Sequence, residues 1–168
     1  MKKKLLSILL TAAMATTVVS GTALIVNADS EGDLSGKTFA IVIRNSGNPY
    51  AEKEADGFKQ VIEAAGGECI IKSPEKATAD AQIPLIQSLI SQEVDAIAIA
   101  SNDVNALTAC LQDAMDEGIK VLSLDSNVVP EARQTFVNQA GVTEIGQALA
   151  DAVYDISGGS GEFAILSA

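Results

Sequence analysis

Four polar clusters carry the chemistry available to this chain, and each follows an apolar run. They are Arg44-Asn45-Ser46-Gly47, Ser101-Asn102-Asp103, Asp125-Ser126-Asn127 and Asn138-Gln139. Amides, hydroxyls, carboxylates and a guanidinium together suit a small polyol, which needs several donors and acceptors around its hydroxyls. Arg44, one of two arginines, offers a fixed fork of donors to a ligand oxygen, or a surface ion pair with one of many acids. Asp125 can accept from paired hydroxyls, or act as a turn-forming residue ahead of Pro130. Asn102 can touch ligand or cap the helix that follows it. Asn45, Asp103 and Asn127 join the candidates by position, and Asn138 and Gln139 serve as ligand contacts, as a hinge, or as both. Tyr50 is either an aromatic platform under a sugar ring or a first-turn packing residue.

The same residues are poorly suited to catalysis. The chain has no His, so Ser101, Ser123 and Ser126 lack the usual activating base, and His-ligated metal is excluded. A carboxylate pair such as Asp103 with Asp125 could do acid–base work, although hydroxyl recognition explains both equally well. The first apolar run is followed by Arg-Asn-Ser-Gly-Asn-Pro, which is not a phosphate-binding loop. No enzyme activity, cofactor or metal is expected.

The elements that must position these clusters alternate regularly. Residues 38–43 form a β-branched apolar run, as in a strand buried on both faces. Asn48 and Pro49 then open a helix carrying Ala51, Ala55, Phe58, Ile62 and Ala65, closed by Gly66-Gly67. Residues 68–72 are a second strand. Residues 79–92 are helical with Ile83, Ile86 and Ile90 on one stripe, and Pro84 predicts a kink or a late start. Residues 95–100 are a third strand. Asn102 or Asp103 caps a helix bearing Leu107, Leu111 and Ala114, which ends at Gly118. Residues 119–124 and 134–137 are the fourth and fifth strands. A helix over 142–156 carries Ile145, Leu149, Val153 and Ile156, and residues 162–166 begin a sixth strand outside the main sheet.

This alternation predicts an α/β fold with a parallel doubly wound sheet, in the order 2-1-3-4-5. Ligands of such sheets bind beyond the carboxyl ends of the strands, where the four polar clusters lie. Cys69 falls in a strand and Cys110 in a helix. Two free thiols are the simpler expectation, with a disulfide as the alternative.

Ahead of this pattern, Lys2-Lys3-Lys4 precede an apolar run to Val26, and Val26-Asn27-Ala28 fits a cleavage site. The segment reads as a secretory signal peptide cleaved near Ala28; an uncleaved anchor is the alternative. Val19-Ser20-Gly21-Thr22 has a lipobox outline without its Cys, so no lipidation is expected at Thr22. Removal of residues 1–28 takes three of the 11 basic residues and none of the 22 acidic ones, so the net charge moves from −11 to −14. That charge repels nucleic acid and anionic membrane surfaces.

Several motifs fall in order along the chain. They are Asn48-Pro49-Tyr50, Val94-Asp95-Ala96-Ile97, Asp116-Glu117-Gly118-Ile119-Lys120-Val121, and Leu124-Asp125-Ser126-Asn127 with Pro130, Arg133 and Phe136-Val137-Asn138-Gln139. With them the chain resembles the N-terminal half of type I periplasmic sugar-binding proteins of ABC transporters. The last group looks most like the rhamnose and autoinducer-2 receptor branch. The resemblance implies ligand contacts at Arg44 and Asp125, although Lys is more usual at the first position. It also implies little aromatic stacking, because Ala51 follows Tyr50. On this basis residues 29–36 are a flexible linker, 37–139 the N-terminal ligand-binding lobe, and 140–168 the truncated start of a second lobe. The expected function is capture of a small sugar (rhamnose-like, another monosaccharide, or autoinducer-2-like) for an ABC permease and its ATPase. Alternatives are a receptor feeding a membrane sensor kinase or chemoreceptor, and a carboxylate-dependent sugar-active enzyme.

Overall fold

A computed structural model of the chain describes residues 32–165. The signal segment, Thr22 and Leu166 lie outside those residues. Five strands form one parallel sheet: β1 (Thr38–Val42), β2 (Glu68–Lys72), β3 (Ala96–Ile99), β4 (Lys120–Leu124) and β5 (Thr135–Val137), in the order β2-β1-β3-β4-β5. The expected fold and strand order are both present. β3 pairs with β1 on one side and β4 on the other, so Ala40 lies opposite Ile97, and Ile97 opposite Val121.

Alternating strand residues build two cores, as a sheet buried on both faces requires. On one face Ala40, Val42, Ile97, Ile99 and Val121 pack against helices α2 (Ala79–Ser91) and α3 (Thr108–Asp116). On the other, Ile41, Ile43, Ala98 and Leu124 pack under Ala51 and Ala55 of helix α1 (Pro49–Ala64). α1 begins as its sequence predicts. Asn48 Oδ1 accepts from the backbone N–H groups of Tyr50 at 3.0 Å and Ala51 at 3.4 Å, with Pro49 at the first helical position.

α2 starts at Ala79, as its expected bounds require, so Pro84 causes no late start; it costs one backbone bond inside a helix held by its buried side. The structure departs from expectation in three places. That buried side is Ala79, Gln82, Ile86 and Leu89, so the stripe is rotated from the Ile83, Ile86 and Ile90 line. α3 begins at Thr108, later than a cap at Asn102 or Asp103 would put it. Asp103 Oδ1 instead accepts from the N–H groups of Asn105 and Ala106, both at 2.8 Å, closing a separate turn. Finally, residues 162–165 form no strand. A strand needs a neighbour for its backbone groups, and none lies beside this segment. The last helix, α4 (Val142–Ser157), buries none of its residues.

Cys69 is half-buried, Cys110 is buried, and both are free thiols. Burial pushes both thiols up from their ordinary range. Among the described residues, no helix is long and apolar enough to cross a membrane.

Asp95 ties the amino ends of three strands together. Its carboxylate accepts from Lys37 Nζ at 2.7 Å and from the Thr38 N–H at 2.8 Å, and its backbone carbonyl accepts from Lys120 N–H at 3.0 Å. The Lys37 hydrogen bond, and then the one from Thr38, hold the carboxyl below its usual 3.8. A lowered folded value stabilises the fold above the unfolded pKa and loses that contribution as pH falls through the folded one. Acid titration of Asp95→Asn, followed by circular dichroism, should therefore show a shallower loss of stability below pH 3.8 than the parent chain. Identical acid profiles would contradict this.

Candidate functional site

The carboxyl ends of β1 and β3 converge on one buried amide. Gln82, fully buried on α2, donates from Nε2 to the carbonyls of Ala100 at 2.8 Å and Ile43 at 3.2 Å. Its Oε1 accepts from the Asn102 N–H at 2.9 Å. A buried polar side chain is stable only when its hydrogen bonds are made, and here each bond goes to backbone at a strand end. Gln82 thus fixes where Arg44 and Asn102 leave the sheet.

On that base the polar residues form a continuous chain. Asn102 Nδ2 donates to the Arg44 carbonyl at 2.7 Å, and Arg44 Nε donates back to Asn102 Oδ1 at 3.2 Å. Arg44 Nη1 reaches Ser126 Oγ at 3.3 Å, which donates to Asp125 Oδ2 at 3.2 Å. Gln139 Nε2 completes the line, lying 3.0 Å from both Asp125 Oδ1 and the Tyr50 hydroxyl. The loops after four strands and the first turn of α1 are therefore linked side chain to side chain. Arg44, Tyr50 and Gln139 remain exposed, so donors and acceptors face outward as well as toward each other.

Asp125 holds its place with an unusual backbone, at φ 54 in the left-handed region. A non-glycine residue there is uncommon, and Asp is among the better tolerated. Residues held in such conformations cluster at functional sites.

The remaining candidates sit differently. Asn127 Oδ1 accepts from Ser123 Oγ at 2.7 Å, Arg133 Nε at 2.8 Å and the Val128 N–H at 2.9 Å, so it braces the loop after β4. Arg133 also lies over the Phe136 ring, 5.5 Å from its centroid. Asn45 bonds its own loop, at the Ser46 carbonyl, 2.8 Å away. Asp103 closes the turn described above. Asn138 is exposed directly after β5.

Two residues at this end of the sheet escaped sequence reasoning. Gln82 was detectable as the one amide on the buried stripe of α2, had the stripe been phased correctly. Glu54 lies one helical turn beyond Tyr50, and its Oε2 is cut off from water without a hydrogen-bond partner. Burial, and then the negative charge of Asp125, push its carboxyl above the usual 4.5.

Removing the Gln82 amide should loosen the whole assembly. Gln82→Leu leaves two carbonyls and one N–H unpaired, at a cost of roughly 2–4 kcal/mol. Urea unfolding should show a lower midpoint with an unchanged slope; an unchanged midpoint would remove Gln82 from this role.

The comparisons agree with the geometry. The family model described as a periplasmic binding protein domain matches residues 39–168. An ABC transporter solute-binding protein from Clostridium phytofermentas, solved with bound L-rhamnose, is 57% identical with a TM-score of 0.71. The match covers 74% of this chain and 39% of that one. LsrB from Clostridium saccharobutylicum, solved in complex with AI-2, is 28% identical with a TM-score of 0.65, over 70% of this chain and 36% of its own. The D-ribose/D-allose-binding protein of Pseudomonas aeruginosa is 28% identical over 67% of this chain and 35% of its own length. The chain thus spans well under half the length of these relatives. With the sheet order, the strand-end polar network and a domain match over most of its length, the chain belongs to the periplasmic binding protein family, alongside the sugar-binding components of ABC transporters.

Proposed function

We propose that this chain supplies the N-terminal half of the sugar site in an exported solute-binding protein that delivers its ligand to an ABC permease and ATPase. The observation that carries this reading is the unbroken line Asn102–Arg44–Ser126–Asp125–Gln139–Tyr50 at the switch point of a parallel sheet. A guanidinium on one side and a carboxylate on the other present a donor fork and a hydroxyl acceptor, which is what a vicinal diol requires. L-rhamnose is the first ligand to try, because the 57% identical relative was solved holding it.

In this reading residues 37–139 form one wall of the cleft, and the chain from residue 140 onward starts the opposing one. Family members of this kind close on ligand by hinge motion. The segment 138–141, exposed from Asn138 to Ala140 and lying between β5 and α4, is the place where such a hinge would act. Closure removes water from the ligand and strengthens each hydrogen bond to it. One wall alone leaves the far side of the sugar wet, so residues 1–168 by themselves should bind weakly.

The test joins this chain to the second lobe of the rhamnose-bound relative and measures L-rhamnose binding by calorimetry. Arg44→Ala and Asp125→Ala should each remove about 1.5–3 kcal/mol, roughly ten- to a hundredfold in affinity. Unchanged affinity in both variants would return the two residues to a purely structural role. A permease gene and an ATPase gene beside this one would support transport over signalling.

A further inference from the structure

β2 is the edge strand farthest from the point where the chain leaves the sheet. The order β2-β1-β3-β4-β5 puts it four strand spacings, about 19 Å, from β5 and the start of α4. The onward chain departs at the opposite edge.

The backbone groups of β2 divide by parity. Glu68 N–H donates to the Lys37 carbonyl at 2.8 Å, and the Lys72 carbonyl accepts from Ile43 N–H at 3.0 Å, both on the β1 side. In a parallel ladder alternate residues turn both backbone groups to the same neighbour, so Glu68, Ile70 and Lys72 face β1. Cys69 and Ile71 turn theirs outward, where nothing among the described residues pairs with them. Edge strands are commonly blunted by a proline, a bulge or charges along their length. β2 confines its charges to its two ends, and its register with β1 is one to one. None of its residues is buried, and Ile71 is 37% exposed.

The sequence Glu68-Cys69-Ile70-Ile71-Lys72 is its own complement. Laid antiparallel on a copy, with Ile70 opposite Ile70, it sets Glu68 against Lys72 at both ends. The same register places Cys69 opposite Ile71, the residues whose backbone groups point outward, so each such pair exchanges both bonds. Centring the pairing on Cys69 or on Ile71 keeps the backbone bonds but sets Glu68, or Lys72, against Ile70. Charge thus selects one register. Lys59 and Glu63, the charged residues of α1 beside Cys69, pair with each other at 3.6 Å. The edge is therefore close to neutral in a chain of net charge −11, and two copies meet there with little repulsion.

We propose that β2 joins β2 of a second copy in this antiparallel register, making one continuous sheet across a two-fold axis. A two-fold contact is self-complementary, as this register requires. Strand direction reverses across the axis, so the two polar networks lie at opposite ends of the joined sheet.

Light scattering follows the purified chain across a dilution series reaching millimolar concentration, with amide hydrogen exchange on the same samples. A dimer is expected in which the Cys69 and Ile71 amides become protected, whereas those of Ile70 and Lys72, bonded to β1, exchange slowly in both states. Glu68→Lys and Lys72→Glu change side chains outside the core and outside the polar network, and circular dichroism verifies the fold. Each alone sets like charges opposite one another and should weaken the dimer about tenfold. Mixing the two variants should restore it, because each then meets its complement. A monomer at all concentrations overturns the proposal; so does a dimer indifferent to either substitution, or one that mixing fails to restore. The chain joined to the second lobe of the rhamnose-bound relative should dimerise in the same way. A monomer there would mean that the added lobe covers β2, and would overturn the proposal too.

Discussion

The amide of Gln82 is the interaction on which the functional end of this molecule depends. A parallel sheet leaves its last carbonyls unpaired where the strands stop, and those carbonyls cost free energy if buried without partners. One side chain on α2 satisfies two of them, from Ile43 and Ala100, and receives a third bond from the next N–H. The loops after β1 and β3 therefore diverge from a fixed point. Arg44 and Asn102 then hold each other through two further bonds, and everything from Ser126 to Tyr50 is arranged against that pair.

Much of this architecture is legible in the order of residues. The β-branched runs at 38–43 and 95–100 announce strands covered on both faces, and Asn48-Pro49 marks the start of α1 with a capping bond that the structure contains. Strand order follows from the handedness of crossovers, and with it the end of the sheet where ligands lie. What escaped was phase and local competition. α2 has isoleucines on two sides, so a stripe drawn through Ile83 and Ile90 looks as good as the one that packs, and Gln82 disappears into the polar face. Asp103 satisfies a turn before it can cap a helix, a choice between two nearby sets of N–H groups that spacing cannot make. Glu54 looks like any surface glutamate until the chain brings Asp125 beside it.

The polar network also divides work among residues that look alike in sequence. Asn102 and Asn127 both follow strands by a few positions. One locks the guanidinium of Arg44, and the other gathers three donors to its own oxygen and stiffens the loop between β4 and the turn at Pro130–Ala132. Arg44 and Arg133 divide in the same manner. The first lies exposed at the sheet's functional end, while the second is spent on Asn127 and the Phe136 ring. The same residue types thus take different positions, one pair in the exposed strand-end network and the other bracing the loop after β4.

Asp125 must satisfy two masters at one position. Its backbone lies in a region where side chains are penalised and glycine is at ease, while its carboxylate is the acceptor that joins Ser126 to Gln139. Glycine would relieve the chain and erase the carboxylate; glutamate would keep the charge but place it a methylene farther out on a less tolerant backbone; asparagine keeps the shape and gives up the charge. The alphabet permitted here is accordingly very short. Substitution is freer at Arg44 or Tyr50, whose backbones lie outside the left-handed region, than at the residue between them in the network.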